Sequence, residues 1–272
     1  MKITEKQVID QQKKRFDEHK ITEKGYLESR NPEDNLIKKF TNWEEIKKEL
    51  GNGNGNELEN KFLAIHSSSA LCVNNFAPFK ENKDKIYFCG YSNFYEAEFE
   101  KKLWTGISTP NLDFYLENSN TIIGIESKFT EYFNADFEHT KNNLCKYYNR
   151  KELNYLHKDF MNNIVLQYIS ESEKMYLDVA QLIKHSIGLI NESKKVNKKA
   201  ILVYIFWEPE NWQEVENCKK HKKELDAFSK RISKFIEFQH FSYSEFWKEY
   251  ENCELVKKHI ALVKQRYEFA IK

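Results

Sequence analysis

The alternation of apolar and polar positions predicts two neighbouring strands in the middle of the chain. Leu112 to Leu116 alternates in the manner of a strand, and Thr121 to Phe129 is an apolar run rich in β-branched residues. Glu117 to Asn120, which lies between these two runs, has turn-forming composition. We therefore expect a β-hairpin that brings the start of the first strand alongside the end of the second.

Further along, a helical pattern passes into a continuous apolar run. Met175 to Asn191 carries apolar residues at helical spacing, and Ala200 to Trp207 is apolar throughout, which is typical of a strand covered on both faces. A helix followed by a buried strand predicts a crossover unit, and hence an α/β fold with a mixed central sheet flanked by helices. The pattern also predicts a buried helix over 62–79, a strand region over 86–103, a polar and aromatic helical excursion over 136–169, a charged helix after Trp212 that ends near 232, a strand over 235–241, and a terminal helix opened by Ser244.

The first part of the chain differs in composition from the rest. Residues 1–50 are charged and helix-forming, with a helix start near Thr41 to Glu45, and Gly51 to Asn56 is a low-complexity run of glycine and asparagine. We therefore predict an N-terminal helical extension with its linker over residues 1–56, and a main domain over residues 57–272.

Composition limits the classes of function. The 43 basic residues are balanced by 42 acidic ones, which argues against a histone-like coating protein but leaves room for a basic groove offset by acidic surface elsewhere. The five cysteines are odd in number and contain no C-x-x-C pair, so neither a disulfide framework nor a zinc ribbon is indicated. The N-terminus has no apolar segment of the kind that directs export. We expect a cytoplasmic protein without membrane association.

The predicted hairpin carries the residues most suited to chemistry. Glu126 and Lys128 are two apart on one strand and so share a face, and the hairpin would bring Asp113 alongside them. Two carboxylates, with the Ile125 carbonyl as a third oxygen, suit Mg²⁺, and Lys128 could orient or help deprotonate an attacking water. This is the minimal equipment for hydrolysing a phosphodiester. The alternative is a surface ion pair, since an E-x-K triplet is common in a chain with 31% charged residues.

A further carboxylate could come from the segment that precedes the hairpin. Glu96, Glu98 and Glu100 alternate with apolar residues, and on a strand all three would lie on one face. Glu98 or Glu100 is the candidate to approach the metal, and the sequence does not choose between them.

Polar residues on the 175–191 helix invite two interpretations. Gln181 and His185 are four residues apart and so share a helix face. If that face borders a cleft, Gln181 could hold a water or phosphate and His185 could contact a DNA backbone. Otherwise both are polar residues at the edge of a packed helix, which is the interpretation favoured for His185. The lysines at 194–199 and the 219–223 run, which contains His221, could track phosphates but are more typical of solvated loops.

At the hairpin the sequence resembles the PD-(D/E)XK, or restriction endonuclease-like, nuclease superfamily, in its bacterial restriction-endonuclease branch. The resemblance lies in Pro110 to Asp113 and Ile123 to Glu131, with support from His66 to Ala70, Asn74 to Phe76 and Gln181 to His185, and it spans about residues 60 to 210. Asn111 and Leu112 interrupt the nominal Pro-Asp pair, a spacing that this divergent superfamily tolerates.

The resemblance implies a restriction endonuclease-like core with Asp113, Glu126 and Lys128 as the catalytic set. It further implies Mg²⁺, for which Mn²⁺ can substitute, and double-stranded DNA as substrate. We therefore expect a site-specific DNA endonuclease that acts as a homodimer, because one site cuts one strand and two-fold symmetry matches a palindromic target. The alternatives are a repair or structure-selective nuclease, and a binding module that keeps the fold without hydrolysis.

Overall fold

Five strands form one mixed sheet whose strands lie side by side in the order of the sequence. The computed structural model describes residues 1–16, 20–53, 58–134, 144–148, 150–170 and 174–272. The strands are β1 (Glu96–Lys102), β2 (Asn111–Glu117), β3 (Thr121–Lys128), β4 (Lys199–Phe206) and β5 (Glu237–Ser242). Strands β1, β2 and β3 pair antiparallel, whereas β3, β4 and β5 pair parallel, so β3 is the strand at which the two patterns meet.

Helices precede the sheet, connect its parallel strands and follow its last strand. They are α1 (Glu5–Lys13), α2 (Trp43–Gly51), α3 (Ser68–Glu81), α4 (Val179–Val196), α5 (Glu216–Ile232), α6 (Tyr243–Tyr250) and α7 (Lys257–Tyr267). Short helical pieces over Lys158–Phe160, Met161–Val165 and Leu166–Ser170 stand between β3 and α4. Because α4 connects β3 to β4 and α5 connects β4 to β5, the predicted crossover unit is present twice. The expected α/β class with a mixed sheet is confirmed.

The two faces of the sheet are covered by different helices. Phe114 of β2 pairs with Ile125 of β3 and stacks on Phe76 of α3, with ring centroids 5.1 Å apart. The adjacent position on β3, Gly124, therefore points to the other face. A Cβ atom built there would lie 2.9 Å from Leu189 Cδ1 of α4, so the absence of a side chain at Gly124 lets that helix approach. Helices α3 and α4 thus enclose the hairpin from opposite sides.

Local capping moves several predicted boundaries. The single helix expected over 62–79 is a 3₁₀ turn at Lys61–Leu63 followed by α3, because the Ser67 hydroxyl accepts the Ala70 N–H and starts a new helix. Only the last part of the 86–103 region is a strand. The helix expected to open at Ser244 begins at Tyr243, because Ser242 and Glu245 form a capping box.

Two other expectations fall partly outside the described residues. The glycine and asparagine run is described only as far as Gly53, and the 136–169 excursion only over 144–148 and 150–169. Before that run, Leu36 and Trp43 pack in the same hydrophobic cluster as Phe76 and the sheet. The division at residue 56 stays a prediction. Within the described ranges, no helix combines the length and the apolar character needed to cross a membrane.

Candidate active site

The hairpin brings Asp113, Glu126 and Lys128 together. The period of two along β3 places Glu126 and Lys128 on one face, and Lys128 Nζ lies 2.6 Å from Glu126 Oε1. The paired register ends at Phe114 and Ile125, so Asp113 adjoins the last paired residue of β2 and Glu126 adjoins that of β3. The Ser127 N–H donates to Asp113 Oδ2 at 2.6 Å, which ties the aspartate of β2 to the main chain between the two charged residues of β3.

Burial and mutual charge give the two carboxylates opposite character. The side chain of Glu126 is 1% exposed. Burial opposes its ionisation, but the positive charge of Lys128 and the contact with His185 outweigh burial and lower the pKa of Glu126 to about 2. Burial, and then the negative charge of Glu126, raise the pKa of Asp113 well above its usual value. Glu126 is therefore ionised in the folded protein, whereas the ionised form of Asp113 would be stabilised by a further positive charge nearby.

Lys128 is held in its charged form. Burial would lower its pKa, yet the carboxylates of Glu126, Glu131 and Asp113 more than compensate and raise the pKa of Lys128 well above its usual value. Glu131 is fixed close by, because its Oε2 accepts the Phe129 N–H at 2.8 Å. The lysine thus supplies a proton donor and a positive charge.

The sequence did not predict the contact that His185 makes with Glu126. It projects from α4, is 1% exposed, and places Nε2 2.9 Å from Glu126 Oε2. Glu126 therefore has a lysine at one oxygen and a histidine at the other. The interpretation of His185 as a residue at the edge of the helix is wrong, because its side chain is buried, and a contact with a DNA backbone stays a prediction. The four-residue spacing from Gln181 was the available signal, but it does not fix how the helix is rotated.

The glutamates of β1 do not share one role. Lys101 Nζ lies 2.5 Å from Glu96 and 2.6 Å from Glu98, so these two are held away in a salt bridge. Glu100 has a positive φ of 54°, which breaks the strand alternation, and its Oε2 accepts the Asn111 side-chain N–H at 3.0 Å. Its charge also contributes to the raised pKa of Asp113. The prediction that all three lie on one face is therefore wrong, and Glu100 is the one near the pair.

The other two predicted site residues occupy supporting positions. Ile125 is buried at the centre of β3 and pairs with Phe114 on one side and Val203 on the other. Gln181 lies one turn before His185, half-buried, with its N–H donating to the Asp178 side chain that caps α4.

Hydrogen bonds behind the charged residues fix β3. Ser127 Oγ shares a hydrogen bond of 2.7 Å with the Tyr243 hydroxyl. Tyr204 of β4 pairs with Glu126 in the register, and its hydroxyl lies 2.9 Å from His221 Nε2. His221 is fully buried, so its assignment to a solvated charge run is wrong.

Several lysines of the two clusters form ion pairs with acidic residues of the fold. Lys198 contacts the Glu117 carboxylate at 2.5 Å, Lys199 contacts Glu237 at 2.6 Å and Lys222 contacts Glu208 at 2.9 Å. These contacts favour a structural role for the clusters over one in tracking phosphates.

The donor set fits a hard divalent cation. Both Glu126 oxygens are buried, and each is contacted by one basic side chain, Lys128 at 2.6 Å and His185 at 2.9 Å. In the described part of the chain, no cluster of three or more His, Cys, Asp and Glu side chains could hold a metal. With two carboxylates as the protein ligands, most of the coordination sphere of an ion would be water, an arrangement that Mg²⁺ accepts because it keeps several of its own waters.

The mixed sheet and the acid-and-lysine cluster on its hairpin define a restriction endonuclease-like protein. A family model described as "Restriction Endonuclease associating with ARP" matches residues 5–268. The chain belongs to this family, and membership indicates a nuclease and implies DNA binding. Comparison with curated proteins gives no match, and comparison with solved structures gives none.

Proposed function

We propose that the protein is a Mg²⁺-dependent DNA endonuclease of the PD-(D/E)XK type, and that it cuts at specific sites. The observation that carries the proposal is the convergence of Asp113, Glu126 and Lys128 on one hairpin, in a chain that belongs to a restriction endonuclease family. A protein that only binds DNA has no need for a buried carboxylate beside a lysine.

Each residue of the site has a separate role in the proposed reaction. Asp113 and Glu126, with the Ile125 carbonyl, would hold the ion, which when bound would offset phosphoryl charge and activate water. Lys128, whose ammonium group lies 2.6 Å from Glu126, would orient or help deprotonate the attacking water and offset phosphate charge. His185 holds the second oxygen of Glu126 and so fixes the direction of that carboxylate.

A plasmid-cleavage assay tests the proposal. Supercoiled plasmid is incubated with wild type, Lys128→Ala and Lys102→Ala, each with Mg²⁺ and with a chelator. Lys102 is an exposed lysine on β1 and serves as the matched control. We expect cleavage only with Mg²⁺, normal cleavage by Lys102→Ala, and a loss of at least about 100-fold for Lys128→Ala.

The products distinguish the alternatives. Discrete fragments indicate site-specific cutting, whereas nicking only at branched or damaged substrates indicates a structure-selective nuclease. If the protein binds DNA but does not cleave it with any divalent ion, it is a binding module and the proposal is refuted.

Assembly forms a second part of the proposal. We propose a homodimer, because two sites related by a two-fold axis would cut both strands of a palindromic target, and sedimentation of the protein with and without DNA tests this. The family description names ARP as an associate. We propose that this chain also assembles with ARP, which co-expression and co-purification would reveal.

A further inference from the structure

A basic pocket lies away from the hairpin, between the C-terminal end of α1 and α7. Its volume is about 470 Å³, and its charged lining residues are Lys14, Arg15 and Arg266. The remaining lining side chains are the amides Gln11 and Gln265 and two aliphatic residues. Among the described residues the pocket is lined by three cations and no acid, although the formal net charge of the chain is only +1.

Both guanidinium groups are held in place without acidic partners. Arg15 donates to the Gln265 carbonyl and packs over the Phe269 ring at 5.2 Å. Arg266 donates to the Asn35 carbonyl at 3.0 Å and packs over the Phe16 ring at 4.3 Å. Among the residues that the structure describes, no carboxylate lies within 4.0 Å of either guanidinium.

This arrangement leaves donors available for a ligand. A guanidinium carries five N–H donors; each arginine donates to one main-chain carbonyl, and Arg266 also bonds the Tyr267 hydroxyl, so several donors of each group stay available. The ring beneath each group restricts its orientation, so less entropy is lost when an anion binds. Planar forks of this kind match the oxygens of phosphate in pairs. Lys14, which donates to the Gln11 side chain, adds a third positive charge at the rim.

We propose that this pocket binds phosphate groups. Its volume exceeds that of one phosphate, so it can take two neighbouring phosphates of a DNA strand or the polyphosphate of a free nucleotide. DNA as the ligand rests on the proposed function, whereas a free nucleotide as the ligand does not. An aromatic contact links the pocket to β3. The ring of Tyr267, the residue after Arg266, lies 5.7 Å from the ring of Phe129, the residue after Lys128.

The test compares the double variant Arg15→Gln/Arg266→Gln with wild type and with Arg30→Gln. Arg30 is an exposed arginine that also donates to a main-chain carbonyl, and it lies outside the pocket. Binding of a labelled DNA duplex and of labelled ATP is measured by fluorescence anisotropy in chelator at several salt concentrations. Cleavage plays no part in this measurement, so an inactive enzyme does not affect the result.

Two results support the proposal and one overturns it. If the pocket holds DNA, the double variant binds duplex roughly tenfold more weakly and loses about 2 from the slope of log K against log salt, since two phosphate contacts are removed. If it holds a free nucleotide, ATP binding is lost and duplex binding is unchanged. Binding of both ligands at the level of Arg30→Gln overturns the proposal.

A third variant guards against misfolding. If the double variant does not fold, Lys14→Gln changes an exposed side chain at the rim, which contacts only the side chain of Gln11 in the described structure. It should reduce the affinity for the same ligand about threefold and the salt slope by about 1. An unchanged affinity and slope for both ligands in this variant would likewise overturn the proposal.

Discussion

Replacing Asp113 by asparagine should stabilise the metal-free protein while it abolishes cleavage. Burial and the charge of Glu126 raise the pKa of Asp113 well above its usual value, so its ionised form is unfavourable in the folded state. Asparagine has nearly the same shape and keeps an oxygen that can accept the Ser127 N–H, which bonds Asp113 Oδ2 at 2.6 Å. The change therefore removes the unfavourable charge and retains the hydrogen bond.

The size of the effect follows from linkage. Each unit by which folding raises a carboxyl pKa lowers stability by about 1.4 kcal/mol at a pH above both values. The pKa of Asp113 is raised even though the Ser127 N–H favours its charged form, so the net penalty already includes that bond. We expect Asp113→Asn to gain at least about 1 kcal/mol at neutral pH, which is roughly 2–4 °C in Tm for a chain of this size.

The sign of the pH dependence is fixed as well. The unfolded chain loses the Asp113 proton near pH 3.9, whereas the folded chain holds it to higher pH. The folded state thus binds more protons in that interval, and its stability falls as pH rises through it. Below about pH 3.9 both states are protonated, so the advantage of the variant should disappear there.

Thermal unfolding in chelator, with and without added Mg²⁺, provides the measurement. Mg²⁺ at 100 times its Kd should stabilise wild type by about 2.7 kcal/mol and the variant by much less, which reverses their order. Asp84→Asn, at an exposed aspartate, is the control and should change neither value. A Tm of Asp113→Asn below that of wild type in chelator would refute the reasoning.

Three further predictions follow from other contacts. His185→Ala should lower stability by about 1–3 kcal/mol in urea unfolding, because Glu126 loses a buried partner, and a variant as stable as wild type would contradict the contact. His259→Gln should make the free energy of unfolding fall less steeply between pH 6.5 and 4. Burial lowers the pKa of His259 to about 4, so the unfolded chain binds this proton at a higher pH than the folded chain does. Wild type therefore loses up to about 3 kcal/mol as pH falls through this range. An unchanged slope would exclude His259 as the source. Gly124→Ala should cost about 1–3 kcal/mol, because the new Cβ would lie 2.5 Å from Leu112 Cδ1 and 2.9 Å from Leu189 Cδ1, and an unshifted Tm would show that these two side chains move aside.

Periodicity predicted the hairpin, the crossover and the shared face of Glu126 and Lys128. A period of two puts Glu126 and Lys128 on one face whatever surrounds them, and a tight turn sets which residue of β2 faces Glu126. These features depend on neighbours in the sequence. They could therefore be inferred before any tertiary contact was known.

The remaining part of the site depends on tertiary packing. His185 reaches Glu126 because α4 lies close over Gly124, which the helix's own polar pattern does not reveal. His221 sits among lysines in the sequence, yet its ring stacks on Tyr132 at 4.1 Å in the interior. Glu100 leaves the strand pattern through its positive φ, a local backbone conformation that alternation of residue types does not signal.

The change from antiparallel to parallel pairing at β3 means that the two partner strands of β3 become available to the nascent chain at different times. Thr121 pairs with Lys199, so β4 leaves the ribosome some 78 residues after β3 begins, whereas β2 is already available to pair. Until translation reaches that point, β3 is an open edge that other polypeptides can join. A ribosome stalled before residue 199 would display the three charged residues of the hairpin without their enclosure, so chaperone demand should peak in that window.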